Sequence, residues 1–123
     1  MWNRIAGGLD QETPVNWSAL SQTEKHLIKI LKVPFRLLFK LCLSLDIKRT
    51  DGKDVRLLAH ELGLTVTDFD LLQQAAQNVS STYILLRERF SVKKPSGTVG
   101  DFVDVMKQIG RDDIISLINE WDG

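Results

Sequence analysis

One stretch near the end of the sequence decides the fold: Thr98-Val-Gly-Asp-Phe-Val-Asp-Val-Met-Lys-Gln-Ile-Gly-Arg111. Thr98 stands three residues before Asp101, a spacing at which the two side chains can cap the first turn of a helix. The apolar residues that follow recur at helical spacing, at Phe102, Val103, Met106 and Ile109. Gly110 then supplies the residue that most often ends a helix. The stretch therefore predicts one amphipathic helix with a defined start and stop.

The residues on either side of this helix extend the pattern. Asp112 and Asp113 follow directly, and acidic side chains favour a helix start through the macrodipole. The apolar residues of this last helix are Ile114, Ile115, Leu117, Ile118 and Trp121. Before Thr98, residues 91–97 contain Pro95 and Gly97, which predict a loop.

Toward the N-terminus, four more helices are predicted between Pro34 and Phe90, the last of them over residues 81–90. Asp51 is predicted to cap the second of the four, with Asp54 in its first turn. A further helix begins at the capping-box pattern Ser21-Gln-Thr-Glu24 and runs to about Leu31, after a loose arm over residues 1–16. Six helices after residue 33 and one before it, without strand alternation, predict an all-α antiparallel bundle.

The apolar pattern predicts which residues form the core, and the single cysteine and the lack of a visible signal peptide indicate the compartment. Five residues are predicted to be buried, namely Leu58, Phe69, Leu85, Phe102 and Ile118. Cys42 lies on an apolar helix face, where a buried structural thiol is expected, and it cannot form an internal disulfide. No signal peptide is visible, and the apolar run 27–45 holds four cations and Pro34, so no membrane insertion is expected. We expect a cytoplasmic domain, free or as the intracellular part of a membrane receptor.

No catalytic or metal-binding motif is apparent in the amino-acid sequence. His26 and His60 stand outside any metal motif, and His60 is expected to be an ordinary surface or half-buried residue. No Gly-rich phosphate loop and no nucleophile–base set is apparent. We therefore expect no enzyme activity, no cofactor and no bound metal.

The ordered set of segments between residues 33 and 121 resembles the death domain family. The segments similar to the second through sixth helices of that family are Gly52–Gly63, Asp68–Ala75, Ser81–Phe90, Thr98–Arg111 and Asp112–Trp121. The sequence departs from the family at Val55 and Phe90, where tryptophan is common. Both replacements are apolar, so the core can be kept.

The resemblance implies a six-helix antiparallel bundle, the death fold, over residues 33–121, with an arm and an extra helix over residues 1–32. It also implies a non-catalytic module that assembles with other death-domain proteins or with itself in apoptotic or innate-immune signalling. Residues 41–62 are most similar to the netrin receptors, and residues 98–118 to Toll and interleukin-1 pathway adapters and kinases. The two resemblances leave the subfamily open.

The charges are unevenly distributed although their sum is zero. Residues 25–53 hold eight Lys/Arg and two Asp/Glu, a net +6, whereas residues 100–123 hold two and six, a net −4. A neutral total argues against generic nucleic-acid binding, while opposite patches suit contacts between copies. The predicted partner-binding residues are Lys40, Lys48, Arg49, Lys53 and Arg56 on one side, and Asp101, Asp104, Asp112 and Asp113 on the other. Asp101 and Asp104 are the favoured acidic contacts, because Asp112 and Asp113 can simply serve a helix start.

Two alternatives remain open. Lys29, Lys32, Arg36 and Lys40 would form a basic stripe on a continuous helix, which could be a solvated face, a partner-binding face or a membrane-surface or calmodulin-type helix. The second is functional: an autoinhibitory or peptide-binding module of a receptor tail, in which residues 23–31 or the N-terminal arm occupies a groove until it is displaced.

Overall fold

A computed structural model describes residues 16–122, so most of the predicted arm over residues 1–16 lies outside the described residues. The α-helices of this part, in chain order, are α1 (Gln22–Leu27), α2 (Phe35–Asp46), α3 (Val55–Glu61), α4 (Val66–Ala76), α5 (Ser81–Glu88), α6 (Phe90–Lys93), α7 (Val99–Ile109) and α8 (Asp112–Glu120). Two short 3-10 helices, Trp17–Ala19 and Ile30–Lys32, precede α2. Between residues 16 and 122 no strand forms, and the all-α prediction is confirmed. Over the same residues, no helix combines the length and apolar character needed to cross a bilayer.

The helix starts follow local capping chemistry. At α7 the Asp101 amide donates to the Thr98 hydroxyl at 3.2 Å, and the Thr98 amide donates back to the Asp101 carboxylate at 3.4 Å. Reciprocal pairs of the same kind open α1 at Ser21 and α4 at Thr65. At the far end of α7, Gly110 adopts a left-handed φ of 79°, as the sequence predicts.

Three predicted boundaries are wrong. The N-cap of α3 is Asp54, because its carboxylate accepts the Arg56 amide. The helix predicted over residues 81–90 breaks at Arg89, and part of the predicted loop that follows forms α6. The helix predicted to reach Leu31 ends at Leu27.

The early end of α1 has a tertiary cause. The backbone after Leu27 turns extended and pairs with the chain that enters α7. The Val99 amide donates to the Ile28 carbonyl at 2.7 Å, and the Ile30 amide donates to the Gly97 carbonyl at 2.9 Å. These bonds replace the helical ones that a longer α1 would have made.

A single core joins the helices. All five residues predicted to be buried are at most 6% exposed: Leu58, Phe69, Leu85, Phe102 and Ile118. Phe90 and Phe102 meet edge to face at the centre, with ring centroids 6.1 Å apart. The inward face of α2 consists of Leu37, Leu38, Leu41, Cys42 and Leu45, whereas Phe35 at its start faces outward at 57% exposure.

The N-terminal part of the described chain packs on the last two helices. Trp17 is buried, and its indole Nε1 donates to the Ile118 carbonyl at 2.9 Å. The buried Lys25 ammonium donates to the Asn119 carbonyl at 2.8 Å and lies 5.7 Å from the Trp17 ring centre. Trp17 and Ile30 belong to the same hydrophobic cluster as the helices after residue 33. Residues on both sides of the predicted boundary at 32/33 thus share one core.

Candidate interaction surfaces

The loop over residues 47–54, between α2 and α3, is organised by one carboxylate. The Asp54 side chain is 1% exposed. It accepts hydrogen bonds from the Arg49 amide at 2.7 Å and from the Arg56 amide at 3.0 Å. The Arg56 guanidinium adds two more, at 2.9 and 2.6 Å. We refer to residues 47–54 together with Arg56 as the basic loop.

These contacts fix the charge of Asp54. Burial alone would raise the pKa of the Asp54 carboxyl. The hydrogen bonds from the Arg56 guanidinium and from the two backbone amides outweigh burial, and they hold the pKa at about 2 instead of 3.8. Asp54 therefore stays ionised at neutral pH and keeps the loop in one conformation.

Four of the five predicted basic contact residues belong to this loop, and they differ in how far other residues engage their charged groups. Arg49 pairs with Asp51 at 2.7 Å, and its carbonyl accepts the Arg56 guanidinium at 2.7 Å. Arg56 still exposes 42% of its side chain while it binds Asp54. Lys48 is exposed and has no ion-pair partner among residues 16–122. Lys48 is accordingly the freest cation of the basic loop.

Lys53 connects the basic loop to the end of α7. A Cβ added at Gly110 would lie 3.0 Å from the Lys53 ammonium, so this cation sits beside the C-terminus of α7. The Lys53 carbonyl accepts the buried Arg111 guanidinium at 2.6 Å, and Arg111 also grips Asp113 at 2.9 and 3.0 Å. The predicted basic and acidic sets are therefore joined at this point rather than separated on two sides of the molecule.

The four acidic candidates occupy two places. Asp101 is half-buried at the start of α7, where it caps the helix with Thr98, and Asp104 is exposed one turn later. Asp112 and Asp113 lie at the start of α8, past the opposite end of α7. The ion pair with Arg111 lowers the pKa of the Asp113 carboxyl. Of these four, Asp104 and Asp112 are exposed and have no ion-pair partner among residues 16–122.

A cleft of about 460 Å³ lies beside the basic loop. Lys48 and Arg56 line one part of it, and His60 and Asp70, both exposed, line the part formed by α3 and α4. Charges of both signs thus border this cleft. His60 is a surface residue, as expected.

Lys40, the fifth basic candidate, belongs to a different surface. It lines a groove of about 440 Å³ with Phe35, Arg36, Phe39, Leu43 and Trp121, which we name the α2 groove. Phe39 and Leu43 are 59% and 47% exposed. The sequence indicates the exposed parts of Phe35–Leu45 as an alternative apolar contact, but the approach of Trp121 to α2 cannot be read from residue spacing. The exposed apolar residues at spacings of four were the available signal.

The four cations of the possible basic stripe do not lie on one continuous helix. Lys29 precedes the 3-10 helix before α2, Lys32 is the last residue of that 3-10 helix, and Pro34 stands at the N-cap of α2. The Lys29 ammonium is engaged with the Ser96 carbonyl. Only Arg36 and Lys40 of the four cations share one helix, so the four do not form the single stripe that a continuous helix would have given.

Cys42 is a structural thiol, as expected. It is 6% exposed, and burial raises its pKa to about 12. The thiolate, which is the reactive form, is therefore scarce at neutral pH. Between residues 16 and 122, no three His, Cys, Asp or Glu side chains are grouped so that they could hold a metal ion.

Comparison with known proteins decides the family. The model of the death domain family matches residues 38–121, more than half of the chain. The chain belongs to the death domain family. No curated protein and no solved structure matches it. Death domains are non-catalytic interaction modules that typically bind other death-fold domains. Residues 16–37, including the buried Trp17, lie outside the family match although they pack on the death domain.

Proposed function

We propose that this death domain acts in the cytoplasm as a homotypic assembly module in apoptotic or innate-immune signal transduction. The family match over residues 38–121 carries the proposal. By binding a death-domain partner, the module would bring attached effectors close together and raise their effective concentration.

The basic loop is our choice for one side of the contact. Four hydrogen bonds to Asp54 hold the loop before any partner arrives, and such preorganisation lowers the cost of binding. Lys48 and Arg56 present charge to solvent from this frame, and Arg49 and Lys53 belong to the same loop, whereas Lys40 lies in the α2 groove and is left out of this contact. A partner with an acidic patch would meet these residues.

Asp104 and Asp112 are our choice for the opposite side of the contact, because both are exposed. Asp101 and Asp113 support helix ends, so their reversal would change folding as well as binding. A patch that meets a different patch on the next copy makes a heterologous contact, which builds rings or open stacks.

The test is a charge reversal that spares these structural residues. We expect Lys48→Glu to weaken association with the partner or with itself at least several-fold, and Asp104→Lys to do the same. The thermal midpoint should hardly move, since surface substitutions usually change stability by within about 0.5 kcal/mol. Binding should also weaken with salt, because exposed charges are screened beyond about 8 Å at physiological ionic strength.

Lys93→Glu is the matched control, since Lys93 is equally exposed but lies on α6. Combining Lys48→Glu with Asp104→Lys should partly restore binding if the two patches meet each other. Binding that ignores salt and both reversals would contradict the charged contact. Capture from cytosol, followed by identification of a bound death-domain protein, tests the pathway, and capture of none would contradict it.

A further inference from the structure

The α2 groove is an apolar surface with a cationic border. Phe39 and Leu43 stand four residues apart on α2 and so share one face of the helix, and Trp121 closes the other wall. Arg36 and Lys40 line the same groove, and both are exposed. An occupant with apolar anchors and negative charge would match it.

Trp121 supplies a second indication that the groove takes an occupant. Its indole Nε1 is buried, yet no acceptor for it exists among residues 16–122. Buried N–H groups in native proteins are nearly always paired, because an unpaired one loses its hydration without compensation. The unpaired N–H therefore marks the Trp121 wall of the groove as incomplete in its hydrogen bonding.

The chain itself leads to this place. The bond from Trp17 Nε1 to the Ile118 carbonyl fixes the start of the described chain on the last turn of α8. Trp121 follows Ile118 by three residues, which is about 5 Å along a helix. Because Trp17 is fixed at this place, a segment that precedes residue 16 is tethered within reach of the groove, which gives it a high local concentration there.

The sequence of residues 1–15 fits the groove in length and chemistry. Trp2, Ile5 and Leu9 are spaced by three and four, the spacing of the anchors of a segment that binds a groove as an amphipathic helix. Asp10 and Glu12 stand against one cation, Arg4, so the segment has a net charge of −1, opposite to that of the cationic border. Fifteen residues span up to about 50 Å when extended and about 22 Å when helical, against about 18 Å for α2.

We propose that residues 1–15 bind in the α2 groove of their own molecule. Because of the Trp17 tether, we favour this segment over a second copy and over a foreign peptide. Assembly through the basic loop does not depend on this contact, and the contact does not depend on assembly.

Paramagnetic broadening in the full chain tests the proposal. A nitroxide is attached to Gly7→Cys, and Cys42 does not compete because it is buried with a thiol pKa of about 12. We expect the amide signals of Phe39 and Leu43 and the indole signal of Trp121 to broaden. The signals of Leu71 and Val92, which are exposed on α4 and α6, should be retained.

Two matched substitutions make the result specific. Phe39→Ser should restore the broadened signals, and Leu43→Ser provides a second variant at the same groove. Leu71→Ser, at a residue that is likewise 59% exposed, should leave the broadening unchanged. Uniform broadening, no broadening, or broadening that Phe39→Ser and Leu43→Ser do not alter would overturn the proposal.

A mixing experiment distinguishes binding within one molecule from binding to a second copy of the chain. Nitroxide-labelled chains without isotope are mixed with isotope-labelled chains that carry no nitroxide. We expect no selective broadening of Phe39 and Leu43 in the mixture. If the broadening in the mixture is as strong as in the chain that carries both the nitroxide and the isotope, the segment binds a second copy. That result would overturn the intramolecular contact and leave the proposed assembly function unaffected.

Discussion

Helices α7 and α8 end in different ways. The C-terminus of α7 is closed by its neighbour in sequence, Gly110, with φ 79° and its amide bonded to the Lys107 carbonyl at 3.2 Å. The C-terminus of α8 has no basic residue in its last turn, and its carbonyls receive Trp17 and Lys25 from 101 and 94 residues away. The first ending can be read from adjacent residues, whereas the second exists only after the chain has folded.

The largest effect is expected at the distant ending. Trp17→Ala removes a side chain that is 3% exposed and leaves the Ile118 carbonyl without its donor. We expect a loss of about 3–5 kcal/mol in the free energy of unfolding, measured by urea denaturation. Leu27→Ala, in the same segment at 72% exposure, is the control and should change little. A Trp17→Ala loss below about 1 kcal/mol would mean that this segment does not stabilise α8.

Lys25 tests the polar part of the same ending. Lys25→Met keeps most of the apolar stem but removes the ammonium that binds the Asn119 carbonyl and complements the dipole of α8. We expect a loss of about 1.5–3 kcal/mol in the free energy of unfolding, as for other hydrogen bonds to charged groups. The loss should persist at high salt, because Lys25 is 7% exposed. Lys32→Met, at an exposed position, should cost far less.

The features that the sequence predicts are the local ones, and the features that it misses depend on distant parts of the chain. The capping pairs predicted at Ser21 and Thr98 are local, and the structure contains both, together with a third of the same kind at Thr65. Asp51 and Asp54 compete for the start of α3 within four residues. The choice of Asp54 depends on its contacts with Arg56 and the Arg49 amide, which the helix pattern does not contain.

The candidate surfaces were predicted less completely than the fold. Lys48 and Asp104 are exposed, and their role in binding stays a prediction. Arg111 counts as one more surface charge in the sequence, but it is 3% exposed and joins Lys53 to Asp113. Such a link needs the approach of α8 to the basic loop, which residue spacing cannot supply.

Asp54 offers a helix start with a pH signature. We expect Asp54→Asn to lower the free energy of unfolding by about 1–2 kcal/mol at neutral pH, because it removes charge-assisted hydrogen bonds but keeps an acceptor. The folded pKa of about 2 lies below the ordinary 3.8, so the stability that ionised Asp54 provides is present above about pH 4 and lost as pH falls toward 2.

The measurement for Asp54 is acid unfolding of both proteins. The difference in stability between the wild-type chain and Asp54→Asn should shrink between pH 4 and pH 2. Asp104→Asn, at an exposed carboxylate, serves as the matched control and should show no such narrowing. A difference that is constant over this range would contradict the assigned role of Asp54.

The smallest effect is expected at the local ending of α7. Gly110→Ala places a Cβ on a left-handed backbone, which costs about 1 kcal/mol, while Gly110→Asn should cost less because asparagine tolerates this conformation. The new Cβ would also meet the Lys53 ammonium at 3.0 Å, and a flexible lysine can move away. If that ammonium stabilises the end of α7, moving it adds to the cost.

A double-mutant cycle of Gly110→Ala with Lys53→Met, followed by thermal unfolding, separates the two causes. Additive losses would assign the whole cost to the backbone and leave Lys53 free for a partner, whereas a Gly110→Ala loss that shrinks in the Lys53→Met background would make Lys53 part of the helix ending.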